Sequence, residues 1–257
     1  MVILKSSWEL ARMRQASKVV AKVLEALREA AKPGVTTAEL DSLAYGIITK
    51  EKAVPSFKGY RGYPASICTS LNEEIVHGIP SSRRLREGDI VGLDVGAMYK
   101  GYHGDAAITV GIGSISRQAC SLIEAAAGAL DAGIAQVRPG NRIGDISYAI
   151  QQYAESRGYS VVREYMGHGI GREMHEPLQV PNFGTAGQGI ALKPGMTFAL
   201  EPMLNVGTWR TKVLADKWTV VTEDGKLSAH FEHTVAVTEG EPEILTRLGS
   251  MTGKGSV

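Results

Sequence analysis

Leu85-Arg86-Glu87-Gly88 leading to Leu93-Asp94, and Leu192-Lys193-Pro194-Gly195 leading to Leu200-Glu201, are the stretches that decide the fold. Each is a glycine turn feeding a strand-like apolar run that closes on a carboxylate. Two further matches keep the same order. Lys32-Pro33-Gly34, between two helical segments, is answered by Arg138-Pro139-Gly140. His77-Gly78-Ile79 is answered by His168-Gly169-Ile170. One short match would be chance. Three in order, spaced by about a hundred residues, read as an internal repeat. The expectation is an α+β chain of two similar halves, roughly 1–125 and 126–257, related by a pseudo-two-fold axis. No linker-like stretch separates the halves, so residues 1–257 are expected to form one domain with a site at the seam.

Periodicity supplies the elements. Leu10, Met13, Val20, Leu24 and Leu27 give a helical stripe over 6–31, with Ser6 or Ser7 as cap and Glu9 in the first turn. Lys32-Pro33-Gly34 stops it. A second helix is expected over 37–50. Residues 64–80 read as strand and loop. Residues 89–97 and 102–110 read as strands joined by the turn Tyr99-Lys100-Gly101. Helices are expected over 115–134 and 142–157, strand and loop from 160 onward, and fraying over 249–257.

Composition narrows the function. The 257 residues are 44% hydrophobic, enough to bury a core without disulfide staples. A formal net charge of +1 leaves no electrostatic footprint for nucleic acid or an anionic membrane. Cys68 and Cys120 are the only cysteines and suit a reducing compartment. The N-terminus has no apolar core of signal-peptide length, and no apolar run approaches the ~18 residues of a membrane span. A cytoplasmic address is the expectation.

The chemistry lies in four carboxylates and one imidazole. Asp94 sits among Val91, Leu93 and Val95, where a bare charge is costly unless paired or metal-bound. Asp105 lies in the partner strand of the same hairpin. Glu201 follows the run 196–200, and Glu232 opens the run 233–237. His168 stands between Gly167 and Gly169, where missing side chains admit a ligand. Singly, each would pass as a cap, an edge residue or a loop histidine. Together they form a mostly hard-oxygen set with one nitrogen, suited to Mn, Fe, Co or Zn. Four carboxylates can hold two ions ~3.5–4 Å apart, lowering the pKa of a shared water from ~15.7 to about 7. His77 and His175 are candidates to orient substrate and stabilise an oxyanion. His103 and His230 are left to structural or supporting roles. Cys68 reads as a small pocket hydrophobe and Trp218 as core or pocket wall.

Six motifs now stand in one order. They are Gly92-Leu93-Asp94-Val95-Gly96, Gly101-Tyr102-His103-Gly104-Asp105, Gly167-His168-Gly169-Ile170-Gly171, Met174-His175-Glu176-Pro177, Leu200-Glu201-Pro202-Met203 and Phe231-Glu232-His233-Thr234. In this the chain resembles the methionine aminopeptidases from its first helix to about residue 245. No large insertion separates His175 from Glu201, and the chain starts almost at its first helix, which resembles the type I, bacterial-type form. The resemblance implies the pita-bread fold, an antiparallel sheet covered by helices. It implies removal of the initiator methionine from nascent polypeptides, with a small second residue preferred. It implies two divalent ions: one on Asp94, Asp105 and Glu232, the other on Asp105, His168, Glu201 and Glu232. Glu201 would also shuttle a proton, His77 would contact substrate and His175 would stabilise the tetrahedral intermediate. The methionine pocket would be lined by Tyr60, Tyr63, Cys68, Met174 and Trp218. Family members often carry Cys where Phe57 stands and Phe where Met174 stands. A monomer is expected, with a ribosome contact left open. Two other readings compete: a proline dipeptidase or aminopeptidase P type enzyme on the same fold, and a metal-free binding protein that uses the fold for recognition alone.

Overall fold

Helix α1 (Ser7–Ala30) begins where its cap dictates. The Glu9 amide donates to the Ser6 hydroxyl and the Ser6 amide to the Glu9 carboxylate, a capping box worth about 1 kcal/mol. Helix α2 (Thr37–Lys50) starts in the same way from Thr36 and Glu39. Helices α3 (Arg117–Ile134), capped by Ser116, and α4 (Ile143–Glu155) follow. All four lie within a residue or two of their expected spans. The computed structural model describes residues 2–247, so the tail expected to fray, 249–257, lies outside the described residues.

Nine strands form the main sheet. They are β1 (Val54–Pro55), β2 (Cys68–Leu71), β4 (Ile90–Tyr99), β5 (Tyr102–Gly111), β7 (Gly167–Gly169), β8 (Glu176–Val180), β9 (Thr197–Leu200), β14 (Glu232–Ala236) and β15 (Glu243–Ile244). The order is β1-β4-β5-β14-β9-β7-β8, with β2 also on β4 and β15 also on β14. Every pairing is antiparallel. Strands β6 (Ser160–Val161), β10 (Met203–Asn205) and β13 (Ser228–His230) form a second sheet. Strands β3 (Glu74–Val76), β11 (Thr211–Val213) and β12 (Val220–Thr222) form a third. The expected hairpin is β4–β5. Its turn is only Lys100-Gly101, both at positive φ (48° and 80°), the combination a two-residue type I′ turn requires.

Alternation along the strands separates core from site. Leu93, Val95, Ala97 and Ala106 point one way and pack with Val20, Val23, Leu24 and Leu27 of α1 and Leu40 and Ile48 of α2. Phe198, Leu200 and Val235 do the same in the second half, against Leu122, Ala126 and Ile150 of α3 and α4. Fully burying each large side chain stabilises by roughly 1.5–3 kcal/mol. The helices therefore cover one face, and the intervening residues, Asp94 and Asp105 among them, face the other.

The matched segments make matching backbone bonds. Leu85 N donates to Val35 O, and Leu192 N to Asn141 O. Gly88 N donates to Ile112 O, and Gly195 N to Val237 O. Isolated bridges join Thr36 to Arg84 and Arg142 to Ala191. Asp94 and Glu201 thus occupy equivalent positions. The histidine match does not survive. His168 pairs with Ala199, two residues before Glu201, whereas Ser70 pairs with Gly92, two before Asp94. Ser70 is the register equivalent of His168. His77 lies beyond β3, and three residues of glycine-rich similarity were too few to set register.

The N-terminal segment is tied into the second half. Lys5 N donates to Gly195 O, and Lys5 Nζ meets Glu176 Oε2 at 2.6 Å with side-chain exposures of 1% and 5%. Removing one member of such a pair strands the other charge, at a cost of about 3–5 kcal/mol. Lys5→Met should lower the denaturant midpoint accordingly, and Lys5→Met with Glu176→Met should recover part of the loss. Additive losses in the double variant would show that the pair is not coupled.

Candidate metal centre

The main sheet assembles the site as a row. Cys68 pairs with Asp94, Asp94 with Ala107, and Ala107 with Glu232. Paired residues share a face, so Asp94 and Glu232 flank Ala107. Asp105, two residues before Ala107, lies on that face too and pairs with Gly96. It is therefore diagonal to Asp94 rather than opposite it. His168 pairs with Ala199, which pairs with Thr234, two residues on from Glu232. Gly96, Ala107 and Ala199 are small, and the space they leave belongs to the polar side chains around them. The Thr234 hydroxyl donates to Asp105 O at 2.8 Å and accepts from Asp105 N at 2.9 Å, fixing β5 against β14. Glu201 and Glu232 stand where the chain changes sheets, at Pro202 before β10 and Phe231 after β13.

Donor atoms of Asp105, His168 and Glu232 all lie within 4.8 Å of one another. His168 Nε2 is 3.9 Å from Asp105 Oδ2 and 3.6 Å from Glu201 Oε1, too far for direct hydrogen bonds. Its Nδ1 lies 3.0 Å from Gly169 O. A carbonyl only accepts, so Nδ1 carries the proton and Nε2 turns a lone pair toward carboxylates. Burial holds His168 down to about 3, so the ring is neutral at neutral pH. Burial pushes Asp94 up to about 7. Asp105, Glu201 and Glu232 are also raised, first by burial and then by one another's charge. Asp94 Oδ1, Asp105 Oδ1 and Glu232 Oε1 are buried with no hydrogen-bond partner among the described residues. Unpaired oxygens and a lone pair converging on one space form a donor set that a divalent cation satisfies.

All five expected ligands line one pocket. The expected substrate residues line it as well: Tyr60, Tyr63, Cys68, His77, Met174, His175 and Trp218. His77 follows β3 and Trp218 precedes β12; Val76 pairs with Val220, which brings the two rings to 6.3 Å. His77 has φ of +62°, rare for a residue with a side chain, and burial lowers it to about 4. Trp218 meets Tyr63 edge-on at 5.0 Å, and His175 stacks on Tyr60 at 5.2 Å. Burial raises the Cys68 thiol well above its usual value, so it is a pocket hydrophobe rather than a nucleophile. Phe57 lies close against Gly96, where a Cβ would come within 2.7 Å of its ring.

Five residues were not read from the sequence as part of the site. Arg61, Val76, Tyr165 and Met166 line the pocket. His230 Nε2, without a hydrogen-bond partner among the described residues, faces Glu201 Oε2 at 4.0 Å and Glu232 Oε2 at 3.9 Å. The signal for Met166 and His230 was strand spacing, each standing two residues before an expected ligand. Arg61 and Tyr165 come from loops and carried no such signal.

The sequence model of metallopeptidase family M24 matches residues 11–239, and the chain belongs to that family. It is 55% identical to a methionine aminopeptidase of Clostridium acetobutylicum, over 96% of this chain and 99% of that one. The crystal structure of a methionine aminopeptidase from Thermotoga maritima superposes with a TM-score of 0.95 at 45% identity, over 96% of this chain and all of that one. The prolidase of Pyrococcus furiosus shares the fold at a TM-score of 0.78 and 22% identity, and this chain covers 66% of it.

The protonation pattern predicts the pH dependence of metal uptake. A cation needs ionised carboxylates and a neutral imidazole. His168 already meets the condition at neutral pH. Asp94 keeps its proton up to about 7, so binding must expel protons, and affinity should climb as pH rises through 7. Calorimetry with Mn at pH 6.5, in two buffers of different ionisation heat, should register net proton release. No release would contradict this protonation pattern.

Proposed function

We propose that this chain is a type I methionine aminopeptidase, removing the initiator methionine from nascent polypeptides. The observation that carries the reading is the row of Asp94, Asp105, Glu232, Glu201 and His168 at the base of a pocket walled by Phe57, Tyr63, Cys68, Met174 and Trp218. A thioether side chain fits an aromatic and thiol-lined wall, where sulfur–aromatic contacts add to apolar burial. Asp94, Asp105 and Glu232 would hold one divalent ion and Asp105, His168, Glu201 and Glu232 a second, with Asp105 and Glu232 shared. Co, Mn, Fe and Zn all suit the donor set. When bound, such ions polarise the scissile carbonyl and acidify water.

The chain's own groups do the rest. His77, neutral at neutral pH, donates or accepts a hydrogen bond at the substrate without adding charge. His175, exposed at the pocket's mouth, stabilises the oxygen that gains charge at the scissile carbonyl. Glu201, with its raised pKa, takes a proton and returns it to the leaving amine. The reading carries a preference for a small second residue. The free thiols Cys68 and Cys120 suit a reducing compartment, and the reading includes a cytoplasmic address and a monomer, with a ribosome contact left open.

After chelation the protein should be inactive, and Mn or Co should restore release of Met from Met-Ala-Ser but not hydrolysis of Gly-Pro or Xaa-Pro-Xaa peptides. Met-Ala substrates should outpace Met-Leu. Cleavage confined to the proline peptides would favour the dipeptidase reading, and no turnover with any metal a binding protein.

Asp105→Ala should abolish turnover while the far-ultraviolet circular dichroism stays native. His77→Ala should cut turnover and leave metal content intact. Near-full activity in Asp105→Ala would sink the two-ion assignment, and parallel loss of metal in His77→Ala would move His77 into the ligand set.

A further inference from the structure

Of the residues lining the pocket, only Arg61 and His175 are exposed, so together they mark its mouth. Arg61 is the sole Lys or Arg on that wall. Among the described residues its guanidinium has no carboxylate partner, whereas Arg14, Arg83 and Arg138 pair with Glu243, Glu74 and Glu241. It lies 5.3 Å from the centre of the Tyr60 ring, and Tyr60 stacks on His175. The loop beneath it is held tightly. Gly59 N donates to Tyr63 O, Tyr60 N to Phe57 O, and Tyr63 N to Tyr60 O. Within that frame Arg61 has φ 47° and ψ 25°, the left-handed region that glycine occupies most easily. Gly59 and Gly62 on either side have positive φ as well. The backbone at residue 61 would be better served by glycine, so folding does not account for an arginine there.

An extended peptide with its first side chain in the pocket must leave through the mouth. Successive residues advance ~3.3 Å, and Arg61 is the cationic side chain at the mouth through which that chain leaves. A guanidinium with no carboxylate partner among the described residues is suited to a substrate carboxylate, which it can meet with two parallel N–H donors. Resting on the aminopeptidase reading, we propose that Arg61 recognises a carboxylate carried by the substrate downstream of its second residue. The carboxylate is either the C-terminus of a short peptide or an Asp or Glu side chain at position three or four. Arg61 then discriminates among substrates that share Met and a small second residue, the part of the sequence the inner pocket reads.

The test compares kcat/KM within peptide pairs, using the metal-loaded enzyme. One pair is Met-Ala-Ser with a free or an amidated C-terminus. The other is amidated Met-Ala-Asp-Ser and Met-Ala-Asn-Ser. The native enzyme should favour the carboxylate member by about two- to five-fold, the scale of an exposed ion pair, mainly through KM and less so at high salt. A preference confined to the first pair assigns the C-terminal carboxylate, and one in the second assigns the side chain. Arg61→Gln and Arg61→Gly should bring the ratio to about one, and Arg61→Lys should keep part of it. Arg61→Gly also relieves the left-handed backbone, so its melting temperature should match or exceed that of the native protein, and misfolding cannot explain its loss of preference. Equal ratios in native and variant enzymes, or no preference in the native one, would overturn the inference while leaving the aminopeptidase reading intact. A native enzyme inactive on every methionyl peptide would remove that reading and this inference with it.

Discussion

Buried carboxylates that repel one another are the constraint on which the rest of this structure depends. Asp94, Asp105, Glu201 and Glu232 are gathered on one face of a sheet, away from water, with oxygens left unpartnered. Such an arrangement costs several kcal/mol per stranded charge unless protons or cations offset it. In the protein alone, burial raises all four, and neighbouring carboxylate charge raises Asp105, Glu201 and Glu232 further. The fold is the frame that keeps the groups together against this repulsion. Long apolar contacts between α1 and α2 and β4 and β5, and between α3 and α4 and the second half, lie on the opposite face of the same strands. One residue of alternation separates the groups that stabilise the chain from the groups that do chemistry.

The repeat explains why the cluster sits where it does. Glu232 pairs with Ala107 across the junction of β5 and β14, the strands by which the two halves meet. The halves bring equivalent carboxylates, Asp94 and Glu201, to either side of that junction. The symmetry is broken where chemistry is required. The second half places His168 where the first has Ser70, and the first places Asp105 where no repeat was read. Site residues beyond the main sheet come from the third sheet and from loops, with His77 and Trp218 joined across β3 and β12.

A good part of this was legible in the residues. Ser6 with Glu9 marked the start of the first helix because capping is local chemistry. Tyr99-Lys100-Gly101 marked the hairpin because a short glycine-containing turn separates two strand-like runs. The carboxylates stood out because each interrupts or ends an apolar run. The false equivalence of His77 and His168 arose because short glycine-rich similarity is compatible with several strand registers. Arg61 and Tyr165 escaped because loop residues carry no periodicity that points them at a distant site.

By itself, then, the sequence determined the four helices and the central hairpin, and it pointed to a two-half organisation and to five residues suited to a metal, since turns, caps and alternation act over a few neighbours. Only the tertiary structure decided which carboxylate stands beside which and which nitrogen of His168 faces them. It also decided that Arg61 stands at the mouth with no carboxylate partner among the described residues and that His230 turns toward the carboxylates. Those facts depend on strand register and on contacts between residues far apart in the chain, and no local rule carries that information.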